Sequence, residues 1–306
     1  MNHNRGIKYA LVTAVFSGFA IFFNGIAVRT VGDPLAFTTL KNLGVGVILA
    51  VLLGIKIFRN RPLLTSLTSR DWFRLFLIAV IGGSLPFYLF FKGLSMTPAA
   101  FGAIIHKTLI FWVALWAVPF LHEKLTRRQV LALGLVFGSS FVVGGITPLS
   151  FGTGEMMILA ATILWAVENI IAKVTLRKVD ADVVVGARMI FGSLLLFAAT
   201  ILTGRMSLIS QLTPGQWGLT LTSIAFLTGY VMSWYRALRE APVTLVATVL
   251  TFGAVITNVL SAVFITHSIG TQLIYQTILL TAGIWFFWTA SKKIPNYTLN
   301  VKSEHI

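Results

Sequence analysis

One stretch of this sequence, Lys92-Gly-Leu-Ser-Met-Thr-Pro98-Ala99, recurs in altered form 144 residues later as Arg236-Ala-Leu-Arg-Glu-Ala-Pro242-Val243. In both copies a basic residue closes one apolar segment and a proline opens the next. The apolar segment before each copy also begins alike, with Trp72 in the first and Trp217 in the second. These matches indicate an internal duplication.

A second set of matches lies outside the first. Asp33 and Lys41 align with Asp180 and Arg188 at an offset of 147 residues. The alternative interpretation is that short apolar strings align by chance. The proline, tryptophan and basic positions nevertheless occur in one order in both copies, and this order favours duplication.

Composition restricts the fold class more strongly than length does. The 306 residues are 57% hydrophobic and 11% charged, with a mean hydropathy of +0.88, whereas soluble domains contain about 25% charged residues. So few charges cannot cover a soluble surface, which excludes a soluble enzyme, a coiled coil and a disordered chain. The lack of cysteine excludes disulfides, thiolate metal sites and a cysteine nucleophile. The sequence therefore predicts an all-α integral membrane protein.

Ten segments are long and apolar enough to cross a membrane, because about 30 Å of hydrocarbon requires roughly 20 apolar residues. They are Ile7–Val28, Leu35–Ile57, Phe73–Leu94, Pro98–Leu121, Arg128–Thr147, Glu155–Thr175, Asp182–Thr203, Gln216–Arg236, Pro242–Ile265 and Gln272–Ser291. The breaks between these spans are short and contain turn-forming residues, such as Gly32-Asp33-Pro34 and Thr213-Pro214-Gly215. No loop is long enough to fold as a separate domain.

Basic residues are unevenly distributed when the loops are numbered alternately from an inside N-terminus. Of the 24 Lys and Arg residues, 18 fall in the inner set, and only Arg29, Lys92 and Arg205 fall in the outer set. Short cytoplasmic loops retain Lys and Arg, so both termini are predicted to be cytoplasmic, in a plasma or inner membrane. The net charge of +15 then predicts contact with anionic lipid at the cytoplasmic face. No nucleic-acid partner is expected.

An odd number of spans per copy requires the second copy to insert upside down. The predicted repeats are residues 1–147 and residues 148–306, with five helices each. Their equivalent loops differ in charge: His122-Glu-Lys-Leu-Thr-Arg-Arg128 is basic, whereas Thr266-His-Ser-Ile-Gly-Thr-Gln272 carries no Lys or Arg. Inverted repeats are common in secondary transporters, where related halves move about a midplane site.

Two charged residues near the middle of spans are the main candidates for a substrate site, because charges at membrane depth are costly and are usually functional. Lys107 lies in span four and Glu168 in span six, at depths that differ by about 7 Å at 1.5 Å per residue. We expect both to face one central cavity and to compensate each other when it is empty. The alternatives are a permanent structural ion pair and no pairing. A buried ion pair stabilises helix contacts poorly compared with apolar packing. Glu168 is also the proton-coupling candidate, although a facilitator is equally compatible.

Other polar residues are secondary candidates for the same site. Trp165 shares the helix face of Glu168 and could stack on a substrate ring, and Thr251 is the repeat equivalent of Lys107. His106 and Asn169 adjoin the two charged candidates, and each is also compatible with a packing role. Asn258 belongs to a polar stripe on span nine that lines either a cavity or a helix contact.

Three further features have simpler expectations. Lys41 and Arg188 lie about 9 Å inside their helix ends, so we expect their side chains to snorkel to the interface. The segment Gly134-Leu-Val-Phe-Gly138 fits close helix packing, either within one chain or in a homodimer. No metal or other cofactor is expected, because the chain has only nine carboxylates.

The motif order resembles the EamA-type family of the drug/metabolite transporter superfamily. The resemblance covers essentially the whole chain and rests on Thr97-Pro98-Ala-Ala, Leu121-His-Glu123-Lys-Leu-Thr126, Leu164-Trp165-Ala166 and Arg188. The acidic exit of span nine usual in that family is replaced by Thr266-His267. The resemblance implies a ten-helix inverted repeat, a small-molecule permease that is often an exporter, a central cavity, and peripheral fifth and tenth spans.

Transport of a small metabolite is therefore the predicted function. A Lys–Glu site suits a zwitterion, so an amino acid is the first substrate class considered. The alternatives are an integral-membrane enzyme and a membrane scaffold. No H-E-x-x-H, G-x-S-x-G, Ser-x-x-Lys or Walker pattern is present, so catalysis is not expected.

Overall fold

The computed structural model describes residues 3–59, 64, 66–97, 99–144 and 152–292. Within these residues the fold is entirely helical and contains no strand. The helices are α1 (His3–Val31), α2 (Pro34–Arg59), α3 (Ser69–Ile78), α4 (Leu85–Met96), α5 (Ala99–Lys107), α6 (Leu109–Leu121), α7 (Arg127–Gly144), α8 (Thr153–Thr175), α9 (Ala181–Leu202), α10 (Met206–Ser210), α11 (Pro214–Glu240), α12 (Val243–Leu250), α13 (Gly253–Ser261) and α14 (Thr271–Lys292). Two π-helical segments, Ala79–Ser84 and Ala262–Thr266, continue α3 into α4 and extend α13.

Eight helical segments in the described part of the chain are long and apolar enough to cross a membrane. They are Asn4–Val31, Pro34–Arg59, Ser69–Met96, Ile104–Leu121, Thr153–Thr175, Ala181–Leu202, Val243–Thr266 and Thr271–Ser291. The chain is thus an integral membrane protein. The helices α7 and α11 occupy the positions of the fifth and eighth predicted spans without being among these eight. Ten spans therefore remain a prediction, and the predicted boundary between residues 147 and 148 lies outside the described residues.

The predicted breaks end helices for local reasons. Gly32 adopts a positive φ of 78°, which an L side chain rarely tolerates, and this ends α1. One carboxylate oxygen of Asp33 then accepts a hydrogen bond from the Ala36 amide (2.8 Å) and caps α2. At the start of α11, Thr213 and Gln216 form a reciprocal capping box. Turn chemistry at these breaks therefore sets the helix boundaries.

Helix packing joins the early part of the chain to the late part. The most extensive contacts are α1 with α11, α7 with α14, α2 with α9, and α4 with α8. Each of these pairs combines one helix from residues 3–144 with one from residues 152–292. The two sequence halves therefore interleave and share one apolar core.

The segment from Gly134 to Gly138 in α7 does not make the close contact within the chain that was one of the two expectations for it. Helix α7 approaches α14 through Gly283, where a Cβ would lie 2.7 Å from a side-chain methyl of Val136. At Gly134 and Gly138 a Cβ would meet no described neighbour within 4 Å. Close packing of these two glycines within the chain is therefore not observed, and the homodimer contact stays a prediction.

Candidate functional site

Two long helices at equivalent repeat positions each contain a 3₁₀-type turn near their middle, where the amides of Thr108 and Thr251 donate three residues back, to Ile105 and Thr248. We call these two turns the breaks, although the backbone there stays right-handed helical. Helix α5 ends at Lys107, and Thr108 separates it from α6. Helix α12 ends at Leu250, and Thr251 and Phe252 separate it from α13. A short stretch of 3₁₀ geometry inside a long helix often marks a functional hinge. The breaks therefore direct attention to Lys107 and its surroundings.

Three aromatic side chains cluster beside the first break. The ring centroid of His106 lies 5.1 Å from that of Phe90 and 5.3 Å from that of Trp165, and the Phe90 and Trp165 rings are 5.4 Å apart. All three side chains are partly exposed. The indole nitrogen of Trp165 donates to the carbonyl oxygen of Gly82 (3.1 Å), whereas Nδ1 of His106 has no hydrogen-bond partner among the described residues. We call these residues the ring cluster.

Glu168 is enclosed by protein groups. Its side chain is 1% exposed and accepts a hydrogen bond from the hydroxyl of Tyr235. Arg188 interacts with it electrostatically and donates to the Gly82 carbonyl oxygen (3.0 Å). A Cβ at Gly82 would lie 2.4 Å from Cγ of Glu168, so the carboxylate packs directly against the π-helical segment. The counter-charge of Glu168 is therefore Arg188.

Lys107 differs from the expected pairing. No carboxylate oxygen in the described part of the chain lies within 4.0 Å of its ammonium. The predicted compensation of Lys107 by Glu168 is absent, because Glu168 already has Tyr235 and Arg188. Lys107 is partly exposed and follows the buried Ile104 by one helical turn. Its ammonium therefore has no ion-pair partner among the residues that the structure describes.

The prediction that Lys41 and Arg188 snorkel is wrong. Lys41 is 0% exposed, and its ammonium lies 3.9 Å from the ring centroid of Phe91 and 5.2 Å from that of Phe87. Arg188 is 4% exposed, and Cζ of its guanidinium lies 5.5 Å from the Phe87 centroid. Depth along a helix does not reveal which face packs inward, and both residues lie on inward faces of the α2–α9 pair.

The amide candidates form helix-to-helix hydrogen bonds. The side-chain oxygen of Asn169 accepts from the indole nitrogen of Trp234 (3.1 Å). The amide of Asn258 donates to the side-chain oxygen of Gln276 on α14 (2.5 Å). Thr251 donates to the carbonyl oxygen of Thr248 (2.6 Å) and remains partly exposed. Of these three candidates, Thr251 is the one that lies at a helix break.

A polar junction closes one end of the bundle. Glu123 accepts hydrogen bonds from the backbone amides of Val243 (2.7 Å) and Thr244 (3.2 Å) and from the Thr244 hydroxyl (2.7 Å). A carboxylate at this position caps α12 and complements its helix dipole. The ammonium of Lys173 donates to the carbonyl oxygens of Leu238 and Ala241 at the end of α11. We call this the Glu123 end.

The two helices that contain the breaks, α5–α6 and α12–α13, pack together at one end and not at the other. At the Glu123 end, α6 packs against α12. At the opposite end, α5 and α13 make no comparable contact between described residues. The two helices therefore meet at one end of the bundle only.

The profile of the EamA-like transporter family matches residues 4–145 and 152–289. The chain belongs to the EamA-like transporter family. This family is part of the drug/metabolite transporter superfamily, so the earlier resemblance is confirmed. Membership identifies the protein as a membrane transporter and not an enzyme.

Two relatives of this EamA-like protein carry the same general description. The uncharacterized transporter YyaM of Bacillus subtilis is 24% identical over 227 residues, which cover 70% of this chain and 72% of the relative. An uncharacterized transporter of Archaeoglobus fulgidus is 23% identical over 252 residues, which cover 81% and 84%. A solved crystal structure aligns with a TM-score of 0.75 at 16% identity, over 96% of this chain and 100% of that one. At that identity the likeness concerns the fold alone.

A peripheral groove of about 870 Å³ runs between α7 and α14 of the EamA-like chain. It is lined mainly by apolar residues, with Arg128 near one end. None of its lining residues belongs to the ring cluster, so the groove does not correspond to the central cavity expected from the sequence.

Sequence reasoning missed several residues of the EamA-like site. Tyr235 and Trp234 are buried and bind Glu168 and Asn169. The available signal was the spacing of aromatic residues on α11, since Tyr230 lies one turn before Trp234 and stacks on it at 6.1 Å. Nothing in the sequence indicates the role of Gly82. Its carbonyl oxygen can accept hydrogen bonds from side chains only because the π-helical turn leaves it accessible to them.

Proposed function

We propose that this EamA-like protein moves a small charged metabolite by alternating access around a midplane site that includes Lys107. The observation that carries the proposal is the pair of 3₁₀-type turns at equivalent positions of two membrane-length helices, with Lys107 beside the first and Thr251 in the second. We further propose ten spans in two inverted five-helix repeats, with both termini cytoplasmic.

The pattern of helix pairing supports the inverted repeat. If each of the first five predicted spans is matched to the span five places later, the α1–α11 pair corresponds to the α8–α4 pair. The α2–α9 and α7–α14 pairs then correspond to themselves, as a two-fold axis requires. All four are the principal contacts of the bundle. His122 and His267, both with positive φ (55° and 51°), end equivalent helical segments in the two repeats.

Because the two sequence halves interleave, the moving units of a transport cycle would be pairs of helices that combine both halves. The expectation of two sequence halves rocking as blocks does not suit a bundle in which the principal helix pairs join the halves. We propose instead that the α1–α11 pair and the α4–α8 pair separate alternately at the two membrane faces. The Glu123 end is then the cytoplasmic gate, closed in this structure.

The finer functional assignments follow from the sequence and the family resemblance. Amino acids belong in the test because the sequence-based hypothesis of a Lys107–Glu168 site would suit a zwitterion, and organic anions belong there because Arg188 is the counter-charge of Glu168 in this structure. Export from the cytoplasm is the proposed direction, and the cell membrane is the proposed location. A proton-coupling role for Glu168 would require it to leave Tyr235 during the cycle. We also propose contact with anionic lipid at the cytoplasmic face. A homodimer that packs through Gly134 and Gly138 is proposed as well.

Transport in proteoliposomes tests the proposal. A labelled panel of amino acids, organic acids and amines would be offered with and without a pH gradient. We expect uptake above that of empty liposomes, and loss of uptake in Lys107→Met. A normally folded protein that transports no member of the panel would favour the scaffold alternative. Uptake at the wild-type rate by Lys107→Met would contradict a substrate site that includes Lys107.

A further inference from the structure

We infer that the midplane site selects a small organic anion with a flat apolar body, in preference to a zwitterion or a cation. Lys107 would bind the anionic group, and the ring cluster of Phe90, His106 and Trp165 would bind the body. The inference rests on the proposed transport function and specifies the substrate class of the same site.

The first step concerns Glu168, the group that would have recognised an amine. Its carboxylate is 1% exposed, accepts the Tyr235 hydroxyl, and lies beside the buried Arg188. An ammonium group of a substrate would have to displace both neighbours and would meet the Arg188 charge. The enclosed carboxylate therefore does not provide a site for a positively charged group.

The second step concerns the charge that remains. The other seven carboxylate residues in the described part of the chain lie in loops or in the first or last turn of a helix. They are Asp33, Asp71, Glu123, Glu155, Asp180, Asp182 and Glu240. None of them can reach a lysine at mid-span, and Lys107 has no ion pair among the described residues. A charge in low dielectric is stabilised by an opposite charge, which a substrate anion would supply.

The third step concerns the ring cluster. Phe90, His106 and Trp165 pack edge-to-face or tilted and stay partly exposed. The indole N–H of Trp165 is already bound to Gly82, so this residue offers its ring to a ligand and not its donor. Flat apolar groups pack well on such ring surfaces.

A ring-matched series of ligands tests the inference at pH 7 on the purified full-length protein. The probes are 3-phenylpropionate, phenylalanine and phenethylamine, which share the ring and differ in charge, with butyrate as a carboxylate that lacks the ring. Isothermal titration calorimetry would measure the affinity of each. We expect 3-phenylpropionate to bind at least about tenfold more tightly than phenethylamine, which lacks the carboxylate, since truncating one partner of a buried charge pair costs more than that factor. Phenylalanine should bind more weakly because its ammonium would be buried without a partner, and butyrate because it lacks the ring that packs on the cluster.

Variants identify the groups responsible. Lys107→Met is expected to abolish the preference for 3-phenylpropionate over phenethylamine, Lys107→Arg to retain it, and Lys8→Met, at an exposed lysine of α1, to leave it unchanged. Equal or tighter binding of phenylalanine or phenethylamine overturns the inference, and so does failure of all four probes to bind. Because the transport panel is separate, uptake of a zwitterion there would sustain the proposed function while this inference fails.

Discussion

The hydroxyl of Tyr235 donates a hydrogen bond to the carboxylate of Glu168 and thereby joins α11 to α8. The adjacent residues repeat the connection, because Trp234 donates to Asn169 (3.1 Å). Two consecutive residues of one helix thus bind two consecutive residues of the other, on the side of the midplane toward the Glu123 end. The proposed cycle must break these bonds whenever that end opens.

Removing the Tyr235 hydroxyl tests this connection. Tyr235→Phe keeps the ring and leaves a buried carboxylate without its donor, so we expect the free energy of unfolding to fall by about 1–3 kcal/mol. Thermal unfolding in detergent would measure the loss. In a double-mutant cycle, Tyr235→Phe should cost clearly less in a Glu168→Gln background. Additive losses would mean that the two side chains do not interact.

Loosening the Glu123 end should open the proposed cytoplasmic gate. Glu123→Gln retains the shape but loses a charged acceptor of three hydrogen bonds. Bonds to charged groups are worth about 1.5–3 kcal/mol, so the open population should rise by about tenfold or more. The chain has no native cysteine, so Thr248→Cys, at a position that is 0% exposed, would report opening by its rate of thiol labelling.

The control for that measurement is Glu155→Gln. Glu155 accepts a backbone amide at the start of α8 (3.0 Å), which the proposed topology assigns to the opposite membrane face. Labelling of Thr248→Cys should be unchanged in this background. Equal acceleration by both substitutions would show general loosening and would contradict a gate at Glu123.

Close approach of the π-helical segment to α9 predicts a large effect at one glycine. A Cβ at Gly83 would lie 2.0 Å from the backbone carbonyl oxygen of Arg188, which cannot move aside as a side chain can. We expect Gly83→Ala to destabilise by about 3 kcal/mol or more. Gly54→Ala in α2 is the matched control, because a Cβ there meets nothing within 4 Å and should stabilise the helix by about 0.5–1 kcal/mol. Similar melting temperatures for the two variants would contradict the packing.

Acid should weaken the ion network that joins α2 to α9. Lys56 binds Asp180 (2.7 Å) and Asp182 (2.6 Å). Burial acts to raise the pKa of Asp180, but hydrogen bonds from Lys56 and the Asp182 amide, with the nearby charges of Lys56 and Arg239, lower this pKa below its ordinary value of 3.8. A lowered folded-state pKa means stabilisation that is present above the unfolded-state pKa and is lost as pH falls through the folded-state pKa.

The measurement is the difference in melting temperature between wild type and Asp180→Asn, followed from pH 7 to pH 3. We expect a small positive difference at pH 7, since partly exposed pairs contribute about 1 kcal/mol or less, and its progressive decline as pH falls below about 4. A difference in melting temperature that is as large at pH 3 as at pH 7 would mean that the ionised carboxylate is not its source.

Replacing Lys41 should not destabilise the protein. Its ammonium is buried with aromatic rings as its nearest favourable contacts, worth about 2 kcal/mol, whereas removing an ion from water costs several kcal/mol. Lys41→Met is therefore expected to hold or raise the melting temperature. Arg188→Met should lower it, because Arg188 binds Gly82 and balances Glu168. An equal loss in both variants would show that Lys41 has a structural partner.

The sequence alone was sufficient for the all-helical membrane class, the family and most helix boundaries. These properties depend on local features of the chain, namely the length of apolar runs and turn residues such as Gly32 and Thr213. Such residues end or cap a helix whatever its packing partners are. The candidate positions Lys107 and Glu168 also emerged locally, because a charge inside an apolar run is conspicuous without any knowledge of packing.

Tertiary structure decided which charges meet. Arg188 and Lys41 have the same local signature, yet one balances Glu168 and the other lies among phenylalanine rings. The rotation of each helix about its axis determines this difference, and it is set by contacts with helices more than a hundred residues away. Lys107 was consequently left without the partner that its depth in the membrane had suggested.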